Sequence, residues 1–125
     1  ISSWYQGRVK VIAVETEGTA TLHSARKAGS PTKVAVSGLA ADSLGASLIG
    51  DIGFEATQKY AEQSILVTDE DVVAAQRYLW ESYRQIAEPG GAAAFAALLS
   101  GAYQPDENEK VGVLVCGGNA DLSKI

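Results

Sequence analysis

The sequence predicts an α/β fold with a parallel sheet, and three stretches of sequence carry this prediction. Residues 8–15 and 64–67 are apolar and rich in β-branched residues, as expected of buried strands. Residues 110–116 have the same character and lead directly into two glycines. Helical segments lie between these strands, and strands that alternate with helices indicate a parallel sheet covered by helices.

The third of the predicted helices has the clearest start. The Thr68 hydroxyl can cap it, and the three residues that follow are acidic. At the helical period its predicted buried stripe contains Val72, Ala75, Leu79, Tyr83 and Ile86, with the polar Gln76 at its border. In all, helices are predicted at residues 19–28, 46–60, 68–87 and 92–99, with a further short strand at 34–36.

Length and composition limit the classes of protein to which the chain can belong. A chain of 125 residues is long enough for one globular domain and too short for two ordinary ones. Its net charge of −5 argues against a nucleic-acid partner, because no basic face is expected. One Cys excludes an internal disulfide, and one Cys with one His provides too few ligands for a Cys/His zinc site.

Nothing in the sequence predicts contact with a membrane. No apolar run approaches the ~18 residues that a membrane helix needs, and the chain does not begin with the pattern of a signal peptide. We therefore expect no membrane partner and a cytoplasmic location. The sequence contains no Met and starts at Ile1, which leads us to expect further sequence upstream.

The segment from Cys116 to Asn119 is the strongest local indication of a binding site. Ligands of parallel α/β sheets bind outside the carboxyl ends of the strands, where glycines allow close backbone approach. On this interpretation Cys116 or Asn119 touches a cofactor. Alternatively, Cys116 is a buried core residue and Asn119 satisfies a turn.

Three other places offer weaker candidates. Glu88 begins a helix-loop-helix junction whose amide groups could receive an anion or a ring edge, or whose Gly91 simply allows close packing. Glu15, at the end of the first strand, could ligate a cation or cap the turn that follows. Asp42 and Ser43 lie in a loop of small residues that faces a ligand or forms a local turn. Dinucleotide, phosphate-loop and nucleophile-elbow motifs are absent, so the sequence contains no self-sufficient active site.

Seven motifs follow one another in a specific order: RVKVIAVETEGT, TLHSA, SGLAADSLG, LVTDEDV, LWE, AEPGGAAAFAALLSG and VGVLVCGGNADL. In this order they resemble the C-terminal part of the fold-type II pyridoxal-phosphate enzymes, which have a tryptophan synthase β-like architecture. The most similar group is the threonine/serine dehydratase and serine racemase family. The resemblance implies that residues 1–125 are the C-terminal part of a catalytic domain that depends on pyridoxal 5′-phosphate.

The resemblance also implies roles for the residues of the Gly-Gly edge. In the family, a Cys or Ser at the position of Cys116 hydrogen-bonds the pyridine nitrogen of the cofactor. A neutral thiol does not force protonation of that nitrogen, which suits β-elimination. Gly117, Gly118 and Asn119 are implied to shape the edge of the ring site, and Glu88 to lie by the ring.

Two further sets of residues are implied by the family pattern. Asp42 and Ser43 correspond to a loop on the substrate side of the pocket, although many relatives have Gly at the position of Ser43. Some family members bind a divalent cation through a Glu at the position of Glu15 and a carbonyl at that of Thr19. Thr21 stands where those members have Asp, which removes a negative charge from the implied cation site.

The resemblance implies an ammonia-lyase, or dehydratase, that converts L-threonine or L-serine to a 2-oxo acid and ammonia. Two family elements, the Schiff-base Lys and the Gly-rich loop that binds the cofactor phosphate, are expected upstream of this chain, and relatives are often homodimers. A serine or other amino-acid racemase of the same family is the first alternative. The second alternative is a non-catalytic α/β ligand-binding module.

Overall fold

The computed structural model describes residues 1–121 and 123, and two parallel strands lie at the centre of this part of the chain. Strand β1 (Ile12–Thr16) pairs with β2 (Gln63–Val67), with Ile12 opposite Gln63 and Thr16 opposite Val67. The parallel pairing confirms the predicted α/β class. The helices of the described residues are α1 (Ser2–Tyr5), α2 (Thr21–Ala28), α3 (Ala41–Leu44), α4 (Asp51–Tyr60), α5 (Asp69–Tyr83) and α6 (Pro89–Leu99), with a 3-10 turn at Glu17–Thr19.

Helices cover both faces of the strand pair. Val14 and Ile65 pack on the apolar core formed by α5 and α6. Neighbouring residues of a strand point to opposite faces, and the next residue, Glu15, bonds to the first turn of α2. The helix α2 therefore lies on the face opposite α5 and α6.

The core consists mostly of small side chains. Six of its nine fully buried members are alanines, which lets α5 and α6 pack closely against each other and against the strands. The core members are Val67, Val72, Ala75, Leu79, Ala87, Ala92, Ala93, Ala96 and Ala97.

The start of α5 is as predicted, whereas its predicted end is wrong. Thr68 accepts a hydrogen bond from the amide of Asp71, whose carboxylate accepts one from the amide of Thr68, so the two residues form a capping box. The helix ends at Tyr83 because Arg84 adopts a left-handed conformation with φ 55°. The predicted stripe therefore holds as far as Leu79, and the last two predicted stripe residues, Tyr83 and Ile86, are exposed.

Two predicted strands are not strands in the described residues. Residues 110–116 form neither a helix nor a strand, and their Val111 and Leu114 side chains are exposed. Residues 34–36 are not in a strand either, although the amide of Val34 donates a hydrogen bond to the carbonyl of Ser47. Both segments have strand-like composition, but a strand also needs a ladder partner, which the composition does not provide.

Other predicted boundaries shift by a few residues. The first strand starts at Ile12 and not at residue 8, because residues 6–9 form a turn in which the Arg8 side chain donates to main-chain carbonyls. Residues 17–19 form the 3-10 turn, so α2 starts at Thr21. The fourth helix starts after Gly50, which has an extended backbone, and α6 begins three residues early, at Pro89.

No helix in the described ranges combines the length and the apolar character that crossing a bilayer requires.

The end of the 110–116 segment lies against the first turn of α6. A Cβ atom placed on Gly91 would lie 1.6 Å from the carbonyl oxygen of Cys116. Beside this contact, the amide of Glu88 donates to the carbonyl of Gly117 at 2.7 Å. Only glycine at position 91 allows the two main chains to come this close.

A polar cluster at the surface ties the segment before β1 to the loop after α6. The Lys10 ammonium lies 3.1 Å from the Glu109 carboxylate and 3.7 Å from that of Asp106. The Tyr103 hydroxyl donates to both oxygens of Glu109, each at 2.9 Å. The hydrogen bond to Glu109 raises the pKa of Lys10 to about 12, and the bonds from Lys10 and Tyr103 lower the pKa of Glu109.

This cluster predicts a pH dependence of stability. Because the pKa of Glu109 is lowered from 4.5 in the folded protein, its carboxylate stabilises the fold above that pH and loses this contribution as the pH falls through the lowered value. Thermal unfolding of Glu109→Gln and wild type should differ at neutral pH and converge in acid. A difference that persists undiminished well below pH 4 would contradict the assignment.

The close approach at Gly91 predicts that replacement of Gly by Ala changes the free energy of unfolding in opposite directions at Gly91 and Gly53. Gly91 and Gly53 are each the third residue of their helices, and a Cβ on Gly53 would meet its nearest atom at an ordinary 3.5 Å. Ala has the higher helix propensity, so Gly53→Ala should raise the free energy of unfolding by about 0.5–1 kcal/mol. Gly91→Ala should lower it by about 1–3 kcal/mol, because a backbone must move.

Urea unfolding of the two variants measures both effects. Equal stabilisation by the two alanines would show that the main chains at Gly91 and Cys116 are not held in contact.

Candidate functional site

Some of the predicted site residues, namely Glu88, Ser43 and the 116–117 turn, meet where α6 begins. Gly117 has φ +70°, in the region that favours glycine, and a Cβ on it would lie 2.2 Å from Cδ of Glu88. The Glu88 carboxyl group therefore lies directly against the Gly117 turn. This contact, with the Gly91 contact beside it, brings the 110–116 segment and the α5–α6 junction together.

Two side chains hold the junction between α5 and α6. The Gln76 amide nitrogen donates to the carbonyl of Ala87 at 2.7 Å. The Ser43 hydroxyl accepts a hydrogen bond from the amide of Gly90 at 2.9 Å. Ser43 lies on α3, so the loop of small residues contacts the first turn of α6.

A cleft of about 180 Å³ opens beside this junction. Four of the predicted site residues line it, namely Asp42, Ser43, Glu88 and Asn119. In the described part of the chain, Cys116 and Gly118 do not line it. The other lining residues are Leu39, Gln76, Pro89, Ala120 and Asp121.

Gln76 lines the cleft although the sequence analysis assigned it no functional role. It is 4% exposed and lies on the buried face of α5 beside Val72, Ala75 and Leu79. A lone polar residue at the border of an apolar stripe is the only signal in the sequence, and that signal does not specify the distant carbonyl that the side chain contacts.

Cys116 is exposed, so it is not the buried core residue of the alternative interpretation. Its carbonyl packs on Gly91 while its thiol is open to solvent in this chain. The arrangement places the Cys116 thiol at the same turn that carries Gly117 and contacts Glu88.

The Glu15 carboxylate caps helix α2. One of its oxygens accepts from the amide of Leu22 and the other from the amide of His23, both at 2.8 Å. A carboxylate at a helix N-terminus satisfies free amides and interacts favourably with the helix dipole. Glu15 therefore caps the start of α2, whose bonded amides lie seven and eight residues further along the chain. It does not cap the 3-10 turn that directly follows it.

The two threonines of the implied cation site also have hydrogen bonds of their own. The Thr19 hydroxyl pairs with that of Thr16 at 2.8 Å, and the Thr21 hydroxyl donates to the carbonyl of Ala46. Within residues 1–121 and 123, no three His, Cys, Asp or Glu side chains are close enough together to hold a metal ion. The cation site stays a prediction.

A larger concavity of about 330 Å³ runs along α5 and contains none of the predicted site residues. It is lined by Leu39, Asp69, Glu70, Val73, Ala74 and Arg77. Asp69 also accepts a hydrogen bond from the amide of Leu39 at 2.8 Å, which ties α5 to the loop before α3.

Sequence comparison identifies relatives over nearly the whole chain. Residues 2–117 match the family model described as "Pyridoxal-phosphate dependent enzyme". The biosynthetic L-threonine dehydratase of Haemophilus influenzae is 34% identical over 119 residues, which are 94% of this chain and 23% of that protein. The phenylserine dehydratase of Ralstonia pickettii is 34% identical over 114 residues, which are 91% of this chain and 35% of that protein.

Solved structures with a similar fold include a threonine deaminase and a serine racemase. The crystal structure of the T.th. threonine deaminase superposes with a TM-score of 0.80 at 28% identity and covers 91% of this chain and 40% of the deaminase. Maize serine racemase superposes with a TM-score of 0.81 at 28% identity and covers 92% of this chain and 36% of the racemase. The chain thus spans well under half the length of these relatives, and it belongs to the family of pyridoxal-phosphate dependent enzymes.

Proposed function

We propose that this chain is the C-terminal part of an ammonia-lyase that converts L-threonine or L-serine to a 2-oxo acid and ammonia. The observation that carries the proposal is the contact of Glu88 with the Gly117 turn, beside the exposed thiol of Cys116. The names of the relatives support the reaction, because two of them are dehydratases of hydroxyl-bearing amino acids at 34% identity.

The residues at this turn fit the ring of pyridoxal phosphate. The absence of a side chain at Gly117 lets the Glu88 carboxyl group lie directly against the main chain of this turn. Cys116 offers a neutral group to the ring nitrogen, and Glu88 offers a carboxylate to the ring edge. Gly118 and Asn119 extend the same turn, and the Asn119 side chain borders the cleft.

When bound, pyridoxal phosphate supplies an electron sink that favours loss of a proton from the α-carbon of an amino acid. The residues of this chain are assigned the task of holding the ring in a fixed orientation. We assign to Cys116 the role of holding the ring nitrogen without protonating it, and to Glu88 that of fixing the ring edge. Asp42 and Ser43 border the cleft from α3, and we assign them to the substrate side.

The rest of the machinery is proposed to come from an upstream part of the same polypeptide. The matched segment is only 23% of the Haemophilus dehydratase and 35% of the Ralstonia enzyme, so those relatives have ample length outside it. That part is where we expect the Schiff-base Lys and the Gly-rich phosphate loop. A cytoplasmic homodimer is the corresponding expectation for the whole enzyme.

A racemase is the second candidate, and the observation in its favour is the superposition on maize serine racemase. The same ring-holding residues serve both reactions, because each begins with loss of the α-proton. A racemase further needs an acid on the opposite face of the α-carbon.

The full-length native protein tests the proposed function. We expect a mass well above 13.0 kDa, a visible absorbance band from bound cofactor, and 2-oxobutanoate from L-threonine. Inversion of serine without 2-oxo acid would favour the racemase. A full-length protein that takes up no pyridoxal phosphate would contradict both and favour a non-catalytic module.

Replacement of Gly117 tests the role of its contact with Glu88, and Gly29 provides a matched control. Gly29 has a similar φ of +75° but no atom within 4 Å of an added Cβ. Each Gly→Ala change should lower the free energy of unfolding by about 1–2 kcal/mol, because both residues have left-handed backbones. Only Gly117→Ala should displace Glu88 and weaken cofactor binding, by about tenfold or more, equivalent to about 1.4 kcal/mol.

Fluorescence titration of the full-length variants with pyridoxal phosphate measures this difference. Equal cofactor affinity in the two variants would contradict the assignment of Glu88 and Gly117 to the ring site.

A further inference from the structure

We propose that Gln76 and Ser43 are positioning residues, which hold residues 87–90 from both ends and so keep Glu88 against the Gly117 turn. The inference rests on the proposed function, since it concerns the residue assigned to the cofactor ring. It assigns to Gln76 and Ser43 a task that neither the sequence pattern nor the family resemblance indicates. For Ser43 this task differs from the predicted contact with substrate.

The junction needs such support because it has no regular structure of its own. Helix α5 ends at Tyr83 and α6 begins at Pro89, and residues 84–88 lie in neither a helix nor a strand. Glu88 is the N-cap of α6, and its side chain makes no capping hydrogen bond. Its carboxyl group is instead turned against Gly117, so other groups must fix the main chain.

Gln76 fixes the first end of this segment. Its amide nitrogen donates to the carbonyl of Ala87, the residue directly before Glu88, at 2.7 Å. At 4% exposure its amide is costly to bury unless it is hydrogen-bonded, so the bond to Ala87 compensates for its presence in the α5 core. An apolar side chain of similar size would fill the same space but would leave the Ala87 carbonyl without this donor.

Ser43 fixes the second end. Its hydroxyl accepts from the amide of Gly90 at 2.9 Å and lies within 3.3 Å of the Ala40 carbonyl, to which it donates. The Gly90 amide belongs to the first turn of α6, where amides have no partner inside the helix. A Cβ on Gly90 would lie 2.7 Å from the Ser43 oxygen, so the two elements are in direct contact.

Between these two points lies the bond that joins the segment to the cofactor turn. The amide of Glu88 donates to the carbonyl of Gly117 at 2.7 Å. Three closely spaced anchors, at Ala87, Glu88 and Gly90, thus fix the main chain where the irregular residues 84–88 enter α6. Loss of either side-chain anchor frees one end of the segment and lets Glu88 move away from the ring site.

The test compares Gln76→Met and Ser43→Ala with wild type in the full-length holoenzyme. Met has about the length of Gln but no donor, and Ala removes only the Ser43 hydroxyl. The readouts are the dissociation constant of pyridoxal phosphate, the absorbance maximum of the bound cofactor and the thermal unfolding midpoint. We expect each variant to bind the cofactor about 3- to 10-fold more weakly, the loss of roughly one hydrogen bond, with a shifted absorbance maximum.

The double variant gives a second, independent readout. Because both side chains act through the same short segment, its loss of affinity should be smaller than the product of the two single losses. Two unrelated local effects would multiply. Should Gln76→Met fail to fold, Ser43→Ala alone decides the outcome, because Ser43 is only partly buried and its truncation is mild.

Thr68→Ala is the matched control. It removes the capping hydroxyl at the start of α5, two turns from Gln76, and so destabilises the same helix without touching the cleft. A purely structural role would give Gln76→Met and Ser43→Ala the behaviour of Thr68→Ala, with a lower unfolding midpoint and an unchanged cofactor affinity and spectrum. That result would overturn the inference while leaving the proposed function intact. A wild-type enzyme that binds no pyridoxal phosphate would overturn both.

Discussion

The contact between two main chains at the start of α6 is the constraint on which the rest of the site depends. The carbonyl of Cys116 occupies the space where Gly91 would carry a side chain, and the carbonyl of Gly117 accepts the amide of Glu88. A hydrogen bond alone does not require such proximity. The absence of two Cβ atoms, at Gly91 and Gly117, makes it sterically possible.

The alanine-rich core also allows close approach, here between whole helices and strands. With Ala92, Ala93, Ala96 and Ala97 buried, α6 sits close to α5 and to the strand pair, and its first turn is brought within reach of the 116–117 turn. Larger side chains on this face would lift the helix away from the sheet. The small residues thus determine where the N-terminus of α6 lies, and with it the position of Glu88.

Much of this arrangement could be predicted from the sequence where the determining interactions are local. The start of α5 depends on Thr68 and Asp71, three residues apart, and the Thr68 hydroxyl caps the helix as expected. The parallel pair β1–β2 follows from two apolar segments separated by helices. The Gly-Gly edge and Glu88 were likewise indicated by short motifs, and they lie together in the structure.

The parts that sequence did not determine depend on distant partners. Glu15 had two interpretations, cation ligand or cap of the next turn, and its oxygens instead bond amides seven and eight residues on. Gln76 contacts a carbonyl eleven residues away, and no local pattern specifies that choice. The end of α5 depends on Arg84 entering a left-handed conformation, which is rare for a residue other than glycine.

Residues 110–116 affect how the polypeptide can associate with other chains. They form an apolar stretch outside the helices and strands of the described chain, and Leu114 is 62% exposed. Exposed apolar segments without a strand partner are places where another chain can add by backbone pairing. Pairing of a second polypeptide, and with it aggregation, would therefore begin at this stretch.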